Sequence, residues 1–142
     1  MAISGQETIM RAALAALTAS PALVPNIRRV HRIPVTRANA PAVYLIDGED
    51  RPAPDGKRCG GRRCDFRTVV IVRDDLGPEA SDTYKVDIMR RFGAAAWPSG
   101  VSLTPGAIGV ATEDADADAT EVVMNWTADY HTESEWSLVL AS

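Results

Sequence analysis

Residues 121–131 read EVVMNWTADYH, and the alternation of their side chains decides the fold class. Every second residue from Val122 to Tyr130 is apolar or small, and the residues between them are polar except Val123. Successive side chains of a β-strand point to opposite faces of the sheet, so this pattern predicts a strand with one buried face. A sheet buried on one side only is typical of antiparallel pairing.

Two helices are expected to cover the buried face. The capping box at residues 4–7, SGQE, begins the first helix, and Pro21 ends it. Gly77-Pro78 places proline in the first turn of the second helix, which ends near Gly93. Further strands are predicted at 27–33, 42–46, 65–73, 101–103 and 107–111, with a last short strand or arm at 135–140.

These elements predict an α+β fold. We expect a mainly antiparallel sheet of four to six strands with two helices packed on one face. The 142 residues, 46% of them hydrophobic, fit one domain that covers residues 1–142. The chain has no apolar run of about 18 residues, so no membrane span is predicted. Its first seven residues lack the charge and apolar core of a secretory signal, so we expect synthesis and use in a cytosol.

Charge is divided between the two halves of the chain. Residues 1–73 hold 12 Lys and Arg against 6 Asp and Glu, a net of +6, whereas residues 74–142 hold 3 against 13, a net of −10. This division allows the basic surface of one copy to meet the acidic surface of another, head to tail. The alternative is that the opposite charges meet within one fold. The basic residues that the first interpretation assigns to an interface are Arg28, Arg29, Arg32, Lys57, Arg58, Arg62 and Arg63.

The segment 49–64 is rich in proline, glycine and charge, and it predicts a long mobile loop. It contains Cys59 and Cys64, which are too few for a zinc site because no histidine lies nearby. Free thiols or a local disulfide are the expected states, and the spacing is not the C-x-x-C of a redox motif. We expect no metal and no cofactor.

Four carboxylates gather at a predicted turn, at Glu113, Asp114, Asp116 and Asp118. Their spacing is that of a calcium loop, but the central glycine and the closing glutamate are missing. Two interpretations stay open, a solvated hairpin tip and a weak divalent-cation site.

The sequence offers no catalytic constellation. His31 and His131 are 100 residues apart, and each is predicted to be an exposed strand residue. The chain contains no G-x-S-x-G, G-x-G-x-x-G or P-loop motif. The basic residues at 57–63 have no aromatic residue among them, and the net charge of the chain is −4, so specific nucleic-acid binding is not expected. The sequence therefore assigns no residue to a catalytic site.

In the order of these segments and in the types of residue that they contain, the chain resembles the tail terminator proteins of long-tailed bacteriophages, the lambda-like minor tail protein family. The resemblance covers most of the chain. It lies in the short first helix that ends before Leu23-Val24-Pro25, in NAPAVYLIDGE at 39–49, in the Arg/Thr/Val strand at 67–73, in YKVDIM at 84–89, and in WTADYHT at 126–132.

The resemblance implies a virion protein without enzymatic activity. Its subunits would form a ring, a hexamer in that family, on the last ring of tail-tube protein, which ends tube growth and presents the opposite face to a head completion protein. DNA would pass through the channel without specific binding, and the acidic residues at 113–118 are then expected to face the channel. The expected location is the head-proximal end of the tail, after assembly in the host cytoplasm. The alternatives are another head–tail connector or neck protein, or a small ligand-binding domain.

Overall fold

Helix α1 (Gly5–Thr18) begins where the capping box predicts it. The Ser4 hydroxyl accepts a hydrogen bond from the Glu7 backbone N–H at 3.0 Å, which satisfies one of the free donors at the helix start. One face of α1, with Ile9, Met10 and Leu17, is completely buried. The computed structural model describes residues 2–22, 24–32, 41–54, 60–73, 78–112, 119–134 and 136–141.

Five strands form a single sheet beneath the helices. The remaining elements are β1 (Asn26–Val30), β2 (Ala42–Pro52), β3 (Gly61–Arg73), α2 (Pro78–Ala94), β4 (Ser102–Thr112) and β5 (Ala119–His131). The strand order is β1-β2-β3-β5-β4. β1 runs parallel to β2, and the other three pairings are antiparallel. The predicted α+β class, with two helices on one face of a mainly antiparallel sheet, is confirmed.

The core lies between the helices and the alternate residues of β2, β3 and β5. β5 contributes its predicted buried face from Val122 to Tyr130, all of it at most 3% exposed. Four aromatic rings meet in the core, with Phe92 at 4.7 Å from Trp126 and 5.5 Å from Trp97, and Phe66 stacked on Trp126. The Trp126 indole N–H donates to the buried Thr68 hydroxyl at 3.1 Å, which satisfies the ring's only polar atom.

Helix α2 also holds the end of α1. Its Arg91 donates hydrogen bonds to the carbonyl oxygens of Ala16, Leu17 and Ala19 at 3.0–3.3 Å. These carbonyls have no partner within α1 because a helix leaves its last four acceptors free. Arg91 is half-buried between the two helices, where it caps the end of α1.

Three segments differ from the sequence-based expectation. β2 and β3 extend into the predicted loop 49–64 and leave only 53–60 between them; of these, 55–59 lie outside the described residues. The two short strands predicted at 101–103 and 107–111 are one strand, β4, whose register against β5 shifts between Pro105 and Ile108. A bulge accommodates the proline and the glycine there without ending the strand.

The chain ends in an arm rather than a sixth strand. Its contacts include the isolated bridge between Thr132 and Leu140, the packing of Leu140 against the core, and the hydrogen bond from the Gly5 N–H to the Leu138 carbonyl at 2.7 Å. Among the described residues, no helix is both long enough and apolar enough to cross a membrane.

Candidate interaction surfaces

The predicted interface residue Arg29 is held inside the fold. Its guanidinium binds both carboxylate oxygens of Asp47, at 2.8 and 2.5 Å, and one oxygen of Glu7 at 2.5 Å. The hydrogen bond to Asp47 is the main cause that raises the pKa of Arg29, and the bond from Arg29 is the main cause that lowers the pKa of Glu7. Arg29 therefore ties β1 to β2 and to the first turn of α1.

Arg62 belongs to a second buried cluster, at the end of the sheet next to the arm. The Asp50 carboxylate accepts from the Arg62 Nε at 3.1 Å and from the Tyr130 hydroxyl at 2.8 Å. The side chains of Arg62 and Asp50 are only 18% and 13% exposed. Burial, and then the hydrogen bond to Asp50, raises the pKa of Tyr130, so this hydroxyl stays protonated.

Cys64 lies beside this cluster as a free and fully buried thiol. Burial, reinforced by the nearby Asp50 charge, raises its pKa to about 12. A thiol that keeps its proton is neither a good nucleophile nor a good metal ligand. Of the two expected states, free thiol or local disulfide, Cys64 shows the free thiol; Cys59 lies outside the described residues.

Arg63 projects from the opposite face of the sheet. It binds the two Asp129 oxygens at 2.7 and 3.2 Å, and one strand away Arg51 pairs with Asp65. The Thr127 hydroxyl donates to Asp65 at 3.1 Å. The Arg63–Asp129 pair joins the basic half of the chain to the acidic half.

The predicted interface residues are thus not one surface. Arg29, Arg62 and Arg63 have partners within the subunit, which is the arrangement that the alternative interpretation of the charge division describes. Arg28 and Arg32 are exposed and remain free to meet a neighbour. Lys57 and Arg58, and the predicted channel residues Glu113, Asp114, Asp116 and Asp118, lie outside the described residues.

A hollow of about 350 Å³ adjoins the paired arginines. It is lined by Ala53, Pro54, residues 61–63 and residues 129–131. His131 is exposed there, as predicted, but the charged groups around it are engaged with one another. Within the described parts of the chain, no three His, Cys, Asp or Glu side chains are grouped so that they could hold a metal ion.

An apolar groove lies at the far edge of the sheet, between α2 and the edge strand β4. It measures about 350 Å³, and its floor is formed by Val86, Met89 and Ile108, which are 39–47% exposed. Val110, further along β4, is 62% exposed. Ile88 and Phe92 of the same helix are buried in the core, whereas Met89 is not.

The arm carries a second exposed apolar feature. Trp136 is 91% exposed and Leu138 is 52% exposed. Most tryptophans in proteins are largely buried, as Trp126 is here, so the exposed indole of Trp136 is unusual. The sequence pattern places Trp126 on the buried face of the alternating strand, but it gives no such assignment to Trp136, which follows that strand.

No protein-family model matches this chain, and no curated protein matches it. A search of solved structures found similarity to a chain in the virion of a native gene transfer agent (GTA) particle. The two chains superpose with a TM-score of 0.54 over 89% of this chain and 93% of that chain, at 17% sequence identity. The similarity is therefore one of fold over nearly the whole length of both chains.

Proposed function

We propose that this chain is a structural virion protein that forms a ring on the end of a phage tail tube, ends tube polymerisation and presents a surface for joining the head. One observation carries the proposal. The fold matches, almost end to end, a chain of the virion of a gene transfer agent particle.

Features of the subunit agree with assembly into a larger structure. β4 is an edge strand of the described sheet, so no strand pairs with its outer side. Two of its own apolar side chains, Ile108 and Val110, are exposed. Proteins normally protect long apolar edge strands, because an open edge pairs with other chains. An edge left open next to an apolar groove is typical of a surface that a partner covers.

The test is a tube-capping assay. Purified tail-tube protein is allowed to polymerise, and this protein is added at substoichiometric amounts. Tube length is then measured by negative-stain electron microscopy. We expect shorter tubes with a ring at one end, and no further growth from that end when more tube protein is added. Unchanged tube lengths would contradict the capping role, and rings that bind the head-side protein but not the tube would favour a neck protein.

Two arginines offer a matched comparison for the predicted basic interface. Arg28→Ser removes a predicted interface charge from β1, and Arg67→Ser removes an exposed charge from β3 that is outside the predicted set. If Arg28 meets an acidic neighbour, its variant should assemble less well at low salt, and the Arg67 variant should assemble normally. Equal behaviour of the two variants would remove Arg28 from the interface.

The channel assignment of Glu113, Asp114, Asp116 and Asp118 stays a prediction. A wall of carboxylates keeps a polyanion from binding as it passes. Replacing the four with Asn or Gln should leave folding unchanged and should raise the affinity of the ring for DNA. A ring that still binds no DNA would leave the four residues without a channel role.

A further inference from the structure

We propose that Trp136 on the arm of one subunit inserts into the α2–β4 groove of a second copy of this chain. The inference deepens the proposed function, on which it rests for the idea that the subunits assemble into a ring. It names the two surfaces that join one subunit to the next.

Hydrogen bonds fix the shape of the arm that carries the exposed Trp136 indole. Its base is fixed by the Gly5–Leu138 hydrogen bond and by a bond from the Ala141 N–H to the His131 carbonyl at 2.8 Å. The Ser134 and Ser137 hydroxyls accept backbone hydrogen bonds within the arm, from Trp136 at 3.3 Å and from Val139 at 3.0 Å. The arm therefore has a defined shape, and ordering it costs little when it binds.

The groove suits one large aromatic side chain. Its volume of about 350 Å³ is at the lower end of the range for pockets that hold small molecules, roughly 300–1,000 Å³. The exposed floor of Val86, Met89 and Ile108 gives an indole apolar contacts on a flexible methionine. Interface hot spots are enriched in tryptophan that fills such a pocket.

A subunit cannot fill its own groove with its own arm. Ile108 pairs with Met124, whereas the arm begins at Thr132. These two positions are eight residues apart along β5, which is roughly 27 Å of strand. Since the base of the arm is fixed at the end of β5, Trp136 remains at the far end of the sheet from the groove.

Charge complementarity favours a second copy as the partner. The exposed Arg90 and the half-buried Lys85, whose side chain is 28% exposed, line the groove together with Asp82. Lys85 lies 3.6 Å from Asp82, a weak pair whose Asp82 side chain is 71% exposed. The sequence around Trp136 is His131-Thr-Glu-Ser-Glu-Trp136, in which two carboxylates precede the indole. An acidic arm that enters a groove with a basic border is steered toward it.

The resulting contact is heterologous, because two different surfaces of the same chain meet. Such a contact repeats from subunit to subunit and closes into a ring when the rotation permits. Each subunit would give one arm and receive one.

The experiment uses two full-length variants that each lack one side of the contact. Trp136→Ala removes the arm's side chain, and Val86→Glu places a charge in the groove. Thr83→Glu is the matched control, since Thr83 is exposed on the same helix and does not line the groove. Met89→Glu repeats the groove test if Val86→Glu does not fold by circular dichroism.

Sedimentation velocity gives the outcome. We expect the wild type and Thr83→Glu to self-associate, and each disruptive variant to require at least about tenfold more protein to do so. Mixed one to one, Trp136→Ala and Val86→Glu should form a dimer and nothing larger, because only one intact arm and one intact groove are present. In the wild type the tryptophan fluorescence should shift to the blue on association, as Trp136 leaves water.

The inference would be overturned if Trp136→Ala assembled like the wild type, if the mixed variants stayed monomeric, or if the wild type were monomeric at every concentration. Failure here is distinct from failure of the proposed function. A wild type that caps tubes but stays monomeric in solution, with capping lost in Trp136→Ala, would assign the arm to the tube protein and leave the function intact.

Discussion

Replacing Tyr130 with phenylalanine tests the buried cluster that holds the arm end of the sheet. The substitution removes only the hydroxyl that donates to Asp50 at 2.8 Å. The ring stays in place because α1 packs directly on it; a Cβ built on Gly5 would lie 2.4 Å from the Tyr130 Cε2. The loss therefore removes the hydrogen bond to a carboxylate that is 13% exposed, together with the interaction of the hydroxyl with Arg62.

The expected loss of stability in Tyr130→Phe follows from the negative charge of the Asp50 carboxylate that accepts the hydrogen bond. Hydrogen bonds to charged groups contribute about 1.5–3 kcal/mol to folding, roughly twice as much as bonds between neutral groups. Unfolding entropy is about 2.1 cal/mol/K per residue, so a chain of 142 residues has about 0.3 kcal/mol/K. Tyr130→Phe should thus lower the midpoint of thermal unfolding by about 5–10 °C.

Urea unfolding and thermal melts, both followed by circular dichroism at pH 7, measure this effect. Tyr84→Phe is the control, because Tyr84 packs against the same core and its hydroxyl makes no hydrogen bond within the part of the chain that the structure describes. It should change stability by less than about 0.5 kcal/mol. If Tyr130→Phe were as stable as Tyr84→Phe, the Asp50 cluster would not contribute in the way we describe.

Three further predictions concern the same fold. Gly5→Ala should lower the free energy of unfolding, measured in urea, by about 1–3 kcal/mol, because the added Cβ meets the Tyr130 ring. Gly93→Ala in α2 should raise it by up to about 1 kcal/mol, because no atom lies within 4 Å of the added Cβ. Because the pKa of Cys64 is raised, the folded chain keeps a thiol proton that the unfolded chain releases above the ordinary thiol pKa of 9.0. The free energy of unfolding should therefore fall between pH 9 and about 12, and it should fall less steeply in Cys64→Ala. The lowered pKa of Glu7 gives the opposite sign, so Glu7→Gln should destabilise at pH 7, and the difference should fade in acid-unfolding measurements as the pH drops below 4.5.

Sequence patterns identified the elements whose signals are local. The capping box placed the start of α1, and the alternation from Val122 to Tyr130 placed β5 and its buried face. The sequence patterns gave wrong predictions where the structure of a segment depends on a residue that is distant in the sequence. Residues 49–51 and 62–63 are charged, and the sequence could not show that Arg62 on β3 would bind Asp50 on the neighbouring strand β2.

The candidate surfaces were harder to predict than the fold. Counting charges suggested an interface that includes Arg62 and Arg63, yet both side chains are used within the subunit. The apolar groove and the exposed Trp136 could not be predicted, because exposure depends on how helix α2 and the arm lie against the sheet. The composition shows which charged residues the chain contains, but it does not show which of them form ion pairs within the subunit.

The strand order has a consequence for how the chain folds during synthesis. β3 lies between β2 and β5, and its 13-residue ladder with β5 joins residues such as Arg63 and Asp129, which are 66 apart in sequence. When β3 leaves the ribosome, the strand that will cover one of its edges has not yet been made. Contacts this distant slow folding, and an uncovered apolar strand invites aggregation. β3 carries Val69-Val70-Ile71-Val72 at this edge, so the nascent chain has its highest risk of misassembly while residues 74–118 are being translated.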